Sequence, residues 1–378
     1  MSHTFPADRV LPNVRALTPY VPGKPIDDLA RELGLTDIVK LASNENPLGA
    51  SPAARAALAA ADVDLALYPD GSAHSLRSAL AARTGCQPEM ITLGNGSNDV
   101  LELIARAFLG PGREAVFSEH AFAVYPIVTQ ATGATARVVP ALGPDSDMPF
   151  GNDLAGMARA IGEHTAVVFL ANPNNPTGTW VLEEPLTAFL EQVPSSVLVV
   201  LDEAYTEYVT EPGFPDGLAL RARFPNLVVT RTFSKIHGLA GLRVGYGVGS
   251  PEIADLLNRV RQPFNVNSLA LLAAEAALGD GDFVSRSREA NRAGMAQLEA
   301  GFAALGLVTI PSVANFVTVD VGRPAGPVYE GLLRQGVIVR PVSNYGLPNH
   351  LRVTVGTQMQ NRRVLEALSR ALGSSGTP

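Results

Sequence analysis

Val197-Leu198-Val199-Val200-Leu201-Asp202-Glu203-Ala204-Tyr205 is a run of apolar residues followed at once by a carboxylate. Such a run suits a short buried strand and is too short for a typical helix. Similar runs recur on both sides of it. Residues 91–93, 114–117, 134–139, 166–170, 227–230 and 244–248 are strand candidates, apolar on both faces. That is the pattern expected where helices cover a parallel sheet on both sides. Helical stretches lie between them, among them residues 99–108 and Glu183–Gln192. This alternation predicts a doubly wound α/β sheet. Little chain separates the last candidate from its predecessor, so that strand is free to run antiparallel.

The ends of the chain read differently. Residues 1–49 are proline-rich and lack a sustained sheet pattern. After Asn267 come helices over Ser268–Leu278 and 282–305, strands over 316–321, 337–340 and 350–355, and a last helix over 360–372. The expected division is a large domain over 50–267 and a smaller α+β domain built from 1–49 and 268–378. Residues 373–378 read as a disordered end.

Composition narrows the chemistry. Of 378 residues, 46% are hydrophobic and 17% charged, which is ample for a large core or for two domains sharing a cleft. The net charge of −7 and the lack of any Lys/Arg run argue against nucleic acid or an anionic membrane as partner. Cys86 is the only cysteine, so no intrachain disulfide and no cysteine metal cluster can form, and no metal is expected. The first residues lack a secretory pattern, and the apolar runs are too short to cross a bilayer. A cytoplasmic protein is expected.

In an open α/β sheet, ligands collect beyond the carboxyl ends of the strands. Asn175 follows the run 166–170, Asp202 and Tyr205 follow 197–201, and Ser234 and Lys235 follow 227–230. Asp202 is expected to be partly buried, and burial without a partner is costly. A protonated pyridine nitrogen is a suitable partner; the alternative is a helix N-cap. Tyr205 and Asn175 can donate to a phenolate oxygen on such a ring, although Asn-Pro-Thr-Gly is also ordinary turn chemistry. Lys235 can form an imine once desolvation and neighbouring cations favour its neutral amine. Gly96, Ser97 and Asn98 join a strand to a helix, where free backbone amides face an anion, unless Ser97 and Asn98 serve as caps. Ser234 and Arg243 complete a phosphate cradle from the other side. Phe122 is the candidate for stacking on the ring, with Tyr125 near the substrate. Together these groups suit pyridoxal 5'-phosphate.

With these residues in place, the chain resembles the fold type I pyridoxal-phosphate enzymes, and within them the histidinol-phosphate aminotransferase family. The likeness runs over nearly the full length. It is carried by Asn44-Glu45-Asn46-Pro47, Tyr68-Pro69-Asp70, Gly96-Ser97-Asn98, Pro173-Asn174-Asn175-Pro176-Thr177-Gly178, Asp202-Glu203-Ala204-Tyr205, Ser234-Lys235 with Arg243, and Leu351-Arg352-Val353-Thr354-Val355-Gly356. The resemblance implies a large domain with a mostly parallel seven-stranded sheet between helices, plus a smaller α+β domain. It also implies a homodimer with the active site at the subunit boundary, where Tyr68 reaches the neighbouring cofactor phosphate. Arg352 and Arg340 would bind the anionic end of the substrate, with Tyr20, Asn44 and Asn175 close by. Where many members carry a tyrosine over the ring, this chain has Phe122, which leaves aromatic amino acids open as substrates.

The leading expectation is therefore amino transfer between histidinol phosphate and 2-oxoglutarate or glutamate. The alternatives are an aromatic amino-acid aminotransferase or a phospho-amino-acid decarboxylase on the same scaffold. More remote are a non-catalytic pyridoxal-phosphate-binding module and a nucleotide-binding α/β protein. The glycine loop argues against the last, since it is neither a Walker nor a Rossmann pattern.

Overall fold

The computed structural model describes residues 9–373. All of the expected disordered end 373–378 except Gly373 lies outside the described residues, as does most of the N-terminal stretch read for a secretory signal. Counting from Val39–Lys40 as β1, the next seven strands are β2 (Ile91–Gly94), β3 (Glu114–Ser118), β4 (Thr135–Val139), β5 (Thr165–Ala171), β6 (Leu198–Asp202), β7 (Leu227–Thr232) and β8 (Gly245–Val248). They form one sheet in the order β2-β8-β7-β6-β5-β3-β4. β8 is antiparallel to both neighbours, and the other pairings are parallel. Every candidate run in the middle of the chain thus joins a single sheet.

β6 lies at the centre of that order, and all its residues are buried. Helices cover both faces there, which is why a continuous apolar run is stable. β4 departs from the expectation of two covered faces. It is the edge strand, only Val139 in it is buried, and Arg137 on it pairs with Glu114 of β3 at 2.9 Å. Gly245 has a specific task in β8. A Cβ there would collide with the Ser97 amide, so only glycine lets the helix Ser97–Phe108 start against the sheet.

The small domain carries an antiparallel sheet of β9 (Val308–Ile310), β10 (Phe316–Asp320), β12 (Arg340–Pro341) and β13 (His350–Thr354), ordered β12-β13-β10-β9. Its core packs Val317, Val319 and Val353 against Leu298 and Phe302 of the helix Gly281–Ala304 and Val364 of the helix Gln358–Ala371. The N-terminal segment joins it where β1 pairs in parallel with β11 (Val337–Ile338). Helix Ser268–Leu278, expected with this domain, packs elsewhere. Its Ala270, Ala273, Ala274 and Ala277 enter the large-domain core beside Leu76 and Leu80. Small side chains let it lie close against the helices Pro52–Ala60 and His74–Thr84. No described helix is long and apolar enough to cross a membrane.

Candidate active site

β5, β6 and β7 end side by side, and the polar residues that follow them converge on a cleft of about 260 Å3. Asp202 closes β6 and forms the floor. It is 4% exposed; its Oδ2 accepts from the Tyr125 hydroxyl at 2.8 Å and its Oδ1 from the Thr230 hydroxyl at 2.9 Å. Burial raises its carboxyl above the usual range, against the pull of those two bonds and of Lys235. Asp202 is not a helix cap, because a turn follows it and no helix begins there.

Lys235 faces Asp202 across the cleft. Its Nζ donates to the Ser43 carbonyl at 3.1 Å and lies 5.6 Å from the Tyr205 ring centre. Burial, then the Arg352 charge, lowers its pKa from 10.5 to about 7, while Glu45 and Asp202 resist. A large share of its amine is therefore neutral and nucleophilic near neutral pH.

The Gly94–Asp99 loop and the Ser234–Arg243 loop meet from opposite sides. The helix cap is Gly96 (φ +86°), and Ser97 is the first helical residue, with no side-chain cap bond. The first helical amides have no intrahelical acceptor, so they and the positive helix end face the cleft. Arg243 sits in the left-handed region (φ +58°), and its Nη1 reaches Ser234 Oγ at 3.4 Å and the Ala240 carbonyl at 2.9 Å. A Cβ on Gly96 would collide with Arg243 Nη2. Glycine there lets the guanidinium lie directly against the helix start.

The opposite wall comes from the small domain and the N-terminal segment. Arg352 is 6% exposed, donates to the Ala42 carbonyl at 2.8 Å and to Asn175 Oδ1, and lies over the Phe316 ring. Its Nε is buried with no partner among the described residues. The bond to Asn175 Oδ1 fixes that amide, which turns its NH2 end toward other acceptors. Asn44 Nδ2 donates to the Tyr205 hydroxyl at 2.9 Å, and burial pushes that phenol up to about 12. Arg340 donates to the Val21 carbonyl at 2.6 Å with its guanidinium 5.6 Å from the Tyr20 ring, which is 49% exposed at the cleft mouth. Phe122 lines the cleft edge-on to Tyr125.

Three expected residues do not line the cleft of their own chain; Gly96 adjoins it, packed between Ser97 and the Arg243 guanidinium. Tyr125 does not border the cleft; it is 1% exposed behind Asp202, with its ring stacked on Phe169. Tyr68 is 81% exposed, stacks on Phe264 and does not line the cleft of its own chain. Sequence reading passed over Thr230, Ser43 and Glu45. Thr230 was detectable as the one hydroxyl ending the run 227–230, while Ser43 acts through its backbone and left no side-chain signal.

The donor set fits pyridoxal phosphate. A buried carboxylate calls for a cationic ring atom, a depressed amine calls for an aldehyde, and the helix start at Ser97 and Asn98 beside Ser234 and Arg243 suits a phosphate. The family model for aminotransferases of class I and II matches residues 36–368. The chain belongs to that family. This aminotransferase is 62% identical over 96% of both chains to histidinol-phosphate aminotransferase 2 of Pseudomonas fluorescens. It is 56% identical over 95% of both chains to histidinol-phosphate aminotransferase 1 of Nitrosococcus oceani. Among solved structures, the histidinol-phosphate aminotransferase of Sinorhizobium meliloti in complex with pyridoxal-5'-phosphate superimposes with a TM-score of 0.89 at 29% identity, covering 98% of this chain and 99% of that one. Aspartate aminotransferase of Thermus thermophilus with maleate gives 0.81 at 25% identity, covering 96% and 99%. The aminotransferase therefore shares its fold with enzymes of more than one amino donor.

Proposed function

We propose that this aminotransferase uses pyridoxal 5'-phosphate to move the amino group between L-histidinol phosphate and 2-oxoglutarate. The observation that carries the reading is the 62% identity, over nearly the whole of both chains, to a relative named for that substrate. It is supported by a cleft that sets Arg340 and Arg352 opposite Asp202 and Lys235. Bound there, the cofactor would supply a cationic ring that accepts the electron pair released at the substrate Cα.

The chain's own residues divide the remaining work. Gly96, Ser97, Asn98, Ser234 and Arg243 hold the phosphate with amides, a hydroxyl and a charge. Asp202 keeps its carboxylate against the ring nitrogen, Asn175 and Tyr205 donate to the phenolate oxygen, and Phe122 covers the ring. Lys235 Nζ, neutral in good part near pH 7, would take the proton from the substrate Cα and pass it to the cofactor's C4′ carbon. Arg352, with its unpartnered Nε, and Arg340 bind the phosphate of one substrate and the carboxylate of the other, beside Tyr20 and Asn44.

In the same reading the protein is a cytoplasmic homodimer. The exposed Tyr68–Phe264 pair forms part of the contact, and Tyr68 reaches the phosphate site of the partner subunit. A second reading, transfer from aromatic amino acids, is favoured by a cavity of about 780 Å3 that adjoins the cleft at Tyr20 and Arg340 and is walled by Ile127, Tyr329 and Tyr345. Assay of purified protein with histidinol phosphate, phenylalanine and threonine phosphate separates the readings. The proposal expects the highest kcat/KM with histidinol phosphate; a clear preference for phenylalanine would replace the substrate.

A further inference from the structure

The place of Tyr125 has a consequence for the chemistry of Asp202. A carboxylate offers about four lone-pair sites on its two oxygens. Here each oxygen already accepts one hydroxyl: Oδ2 from Tyr125 at 2.8 Å and Oδ1 from Thr230 at 2.9 Å. Both donors are fixed by the fold. Thr230 stands on β7 in register with Asp202 on β6, and Tyr125 stands on the helix Val124–Ala131 with its ring stacked on Phe169 at 4.9 Å. Tyr125 is 1% exposed and Thr230 fully buried, so neither hydroxyl is spent on solvent.

Hydrogen bonds received by the charged form of an acid favour that form. Two donors on one buried carboxylate therefore make it a weaker base than burial alone would leave it. When such a carboxylate shares a proton with a ring nitrogen, the weaker base gives up the proton.

We propose that Tyr125 and Thr230 are positioning residues that hold Asp202 ionised, so that the cofactor's ring nitrogen, not the carboxylate, carries the proton between them. The inference rests on the cofactor reading of the cleft. A packing role for Tyr125 would need only its ring, which phenylalanine supplies equally well.

The test compares pyridoxal phosphate with its 1-deaza analogue, in which a C–H replaces the ring nitrogen. Both are titrated into wild-type protein and into the variants Tyr125→Phe and Thr230→Val, and bound cofactor is followed by absorbance. Wild type should prefer pyridoxal phosphate. In either variant that preference should fall roughly tenfold or more, the worth of a lost hydrogen bond to a charged group. Affinity for the deaza analogue should stay unchanged, and kcat should drop with little change in KM. An unchanged preference in both variants overturns the inference. Equal loss of affinity for both compounds also overturns it, because that is the mark of packing alone. If Tyr125→Phe does not fold, Thr230→Val decides, since both hydroxyls make the same prediction. A wild-type protein that binds neither compound overturns the cofactor reading and this inference with it.

Discussion

Lys235 Nζ donates to the backbone carbonyl of Ser43 at 3.1 Å, joining β7's outgoing loop to the N-terminal segment. A carbonyl is neutral, so it holds the amine in place without paying back the desolvation of a charge. That explains why burial and Arg352 prevail over Glu45 and Asp202 and bring the amine down to about 7. The nucleophilic form lies above that value. Uptake of pyridoxal phosphate by cofactor-free protein, followed by stopped-flow absorbance, should quicken from pH 6 to 8 and then level off. An ordinary lysine would keep quickening about tenfold per pH unit to near 10. Linkage has the same sign. Between about 7 and 10.5 the unfolded chain binds a proton that the folded one does not, so this group makes the cofactor-free protein more stable as pH rises through that window.

Asp202→Ala removes the buried partner of the ring nitrogen. Loss of one member of a buried charge pair costs about 3–5 kcal/mol. If that cost falls on the transition state, turnover should slow by a factor on the order of a hundred or more. Steady-state kinetics of the cofactor-saturated variant checks this, and near-normal turnover would remove Asp202 from its role.

Gly96→Ala places a methyl group against Arg243 Nη2 and forces φ +86° on a residue with a side chain. Backbone strain of that kind costs about 1–3 kcal/mol. Because the collision falls on the phosphate cradle, the dissociation constant for pyridoxal phosphate should rise roughly tenfold, as read by fluorescence titration. Inorganic phosphate should compete with the cofactor less effectively in the variant than in wild type.

Arg231→Leu tests stability apart from the reaction. Arg231 makes two bonds to Glu203 Oε2, at 2.9 and 2.7 Å, and Glu203 is fully buried beside the Gly217 amide. Removing the arginine strands that carboxylate, at a cost of about 3–5 kcal/mol. The urea midpoint of the variant should fall accordingly at neutral pH. Recovery at low pH, where Glu203 is protonated, would identify the cause.

The central sheet was legible because all of its strands but β4 are buried on both faces and read as largely apolar runs. Asp202 was legible because it directly follows such a run, Ser234 and Lys235 because they stand a few residues beyond 227–230, and Arg243 from its place eight residues after Lys235. What was hidden depends on pairing between distant segments. The link from Thr230 to Asp202 needs the β6–β7 register, and the exposure of β4 needs its place at the sheet edge. Helix Ser268–Leu278 is alanine-rich on nearly every side, so its sequence does not say which domain it joins. The cap at Gly96 rather than Ser97 or Asn98 is set by a backbone angle that any turn-forming sequence leaves open. Tyr125 follows Phe122 by three residues, and only its bond to Asp202 and its stacking on Phe169 show that it packs behind Asp202 rather than lining the cleft.

The most direct measurement is borohydride reduction of the protein with pyridoxal phosphate, followed by peptide mapping. Lys24, Lys40 and Lys235 are the only lysines in the chain, and the first two pair with Glu32 at 2.6 Å and Glu45 at 3.4 Å. A reduced pyridoxyl group found on Lys235 alone is the predicted result. A group on Lys24 or Lys40 instead, or a protein that stays colourless and unlabelled, would contradict the account.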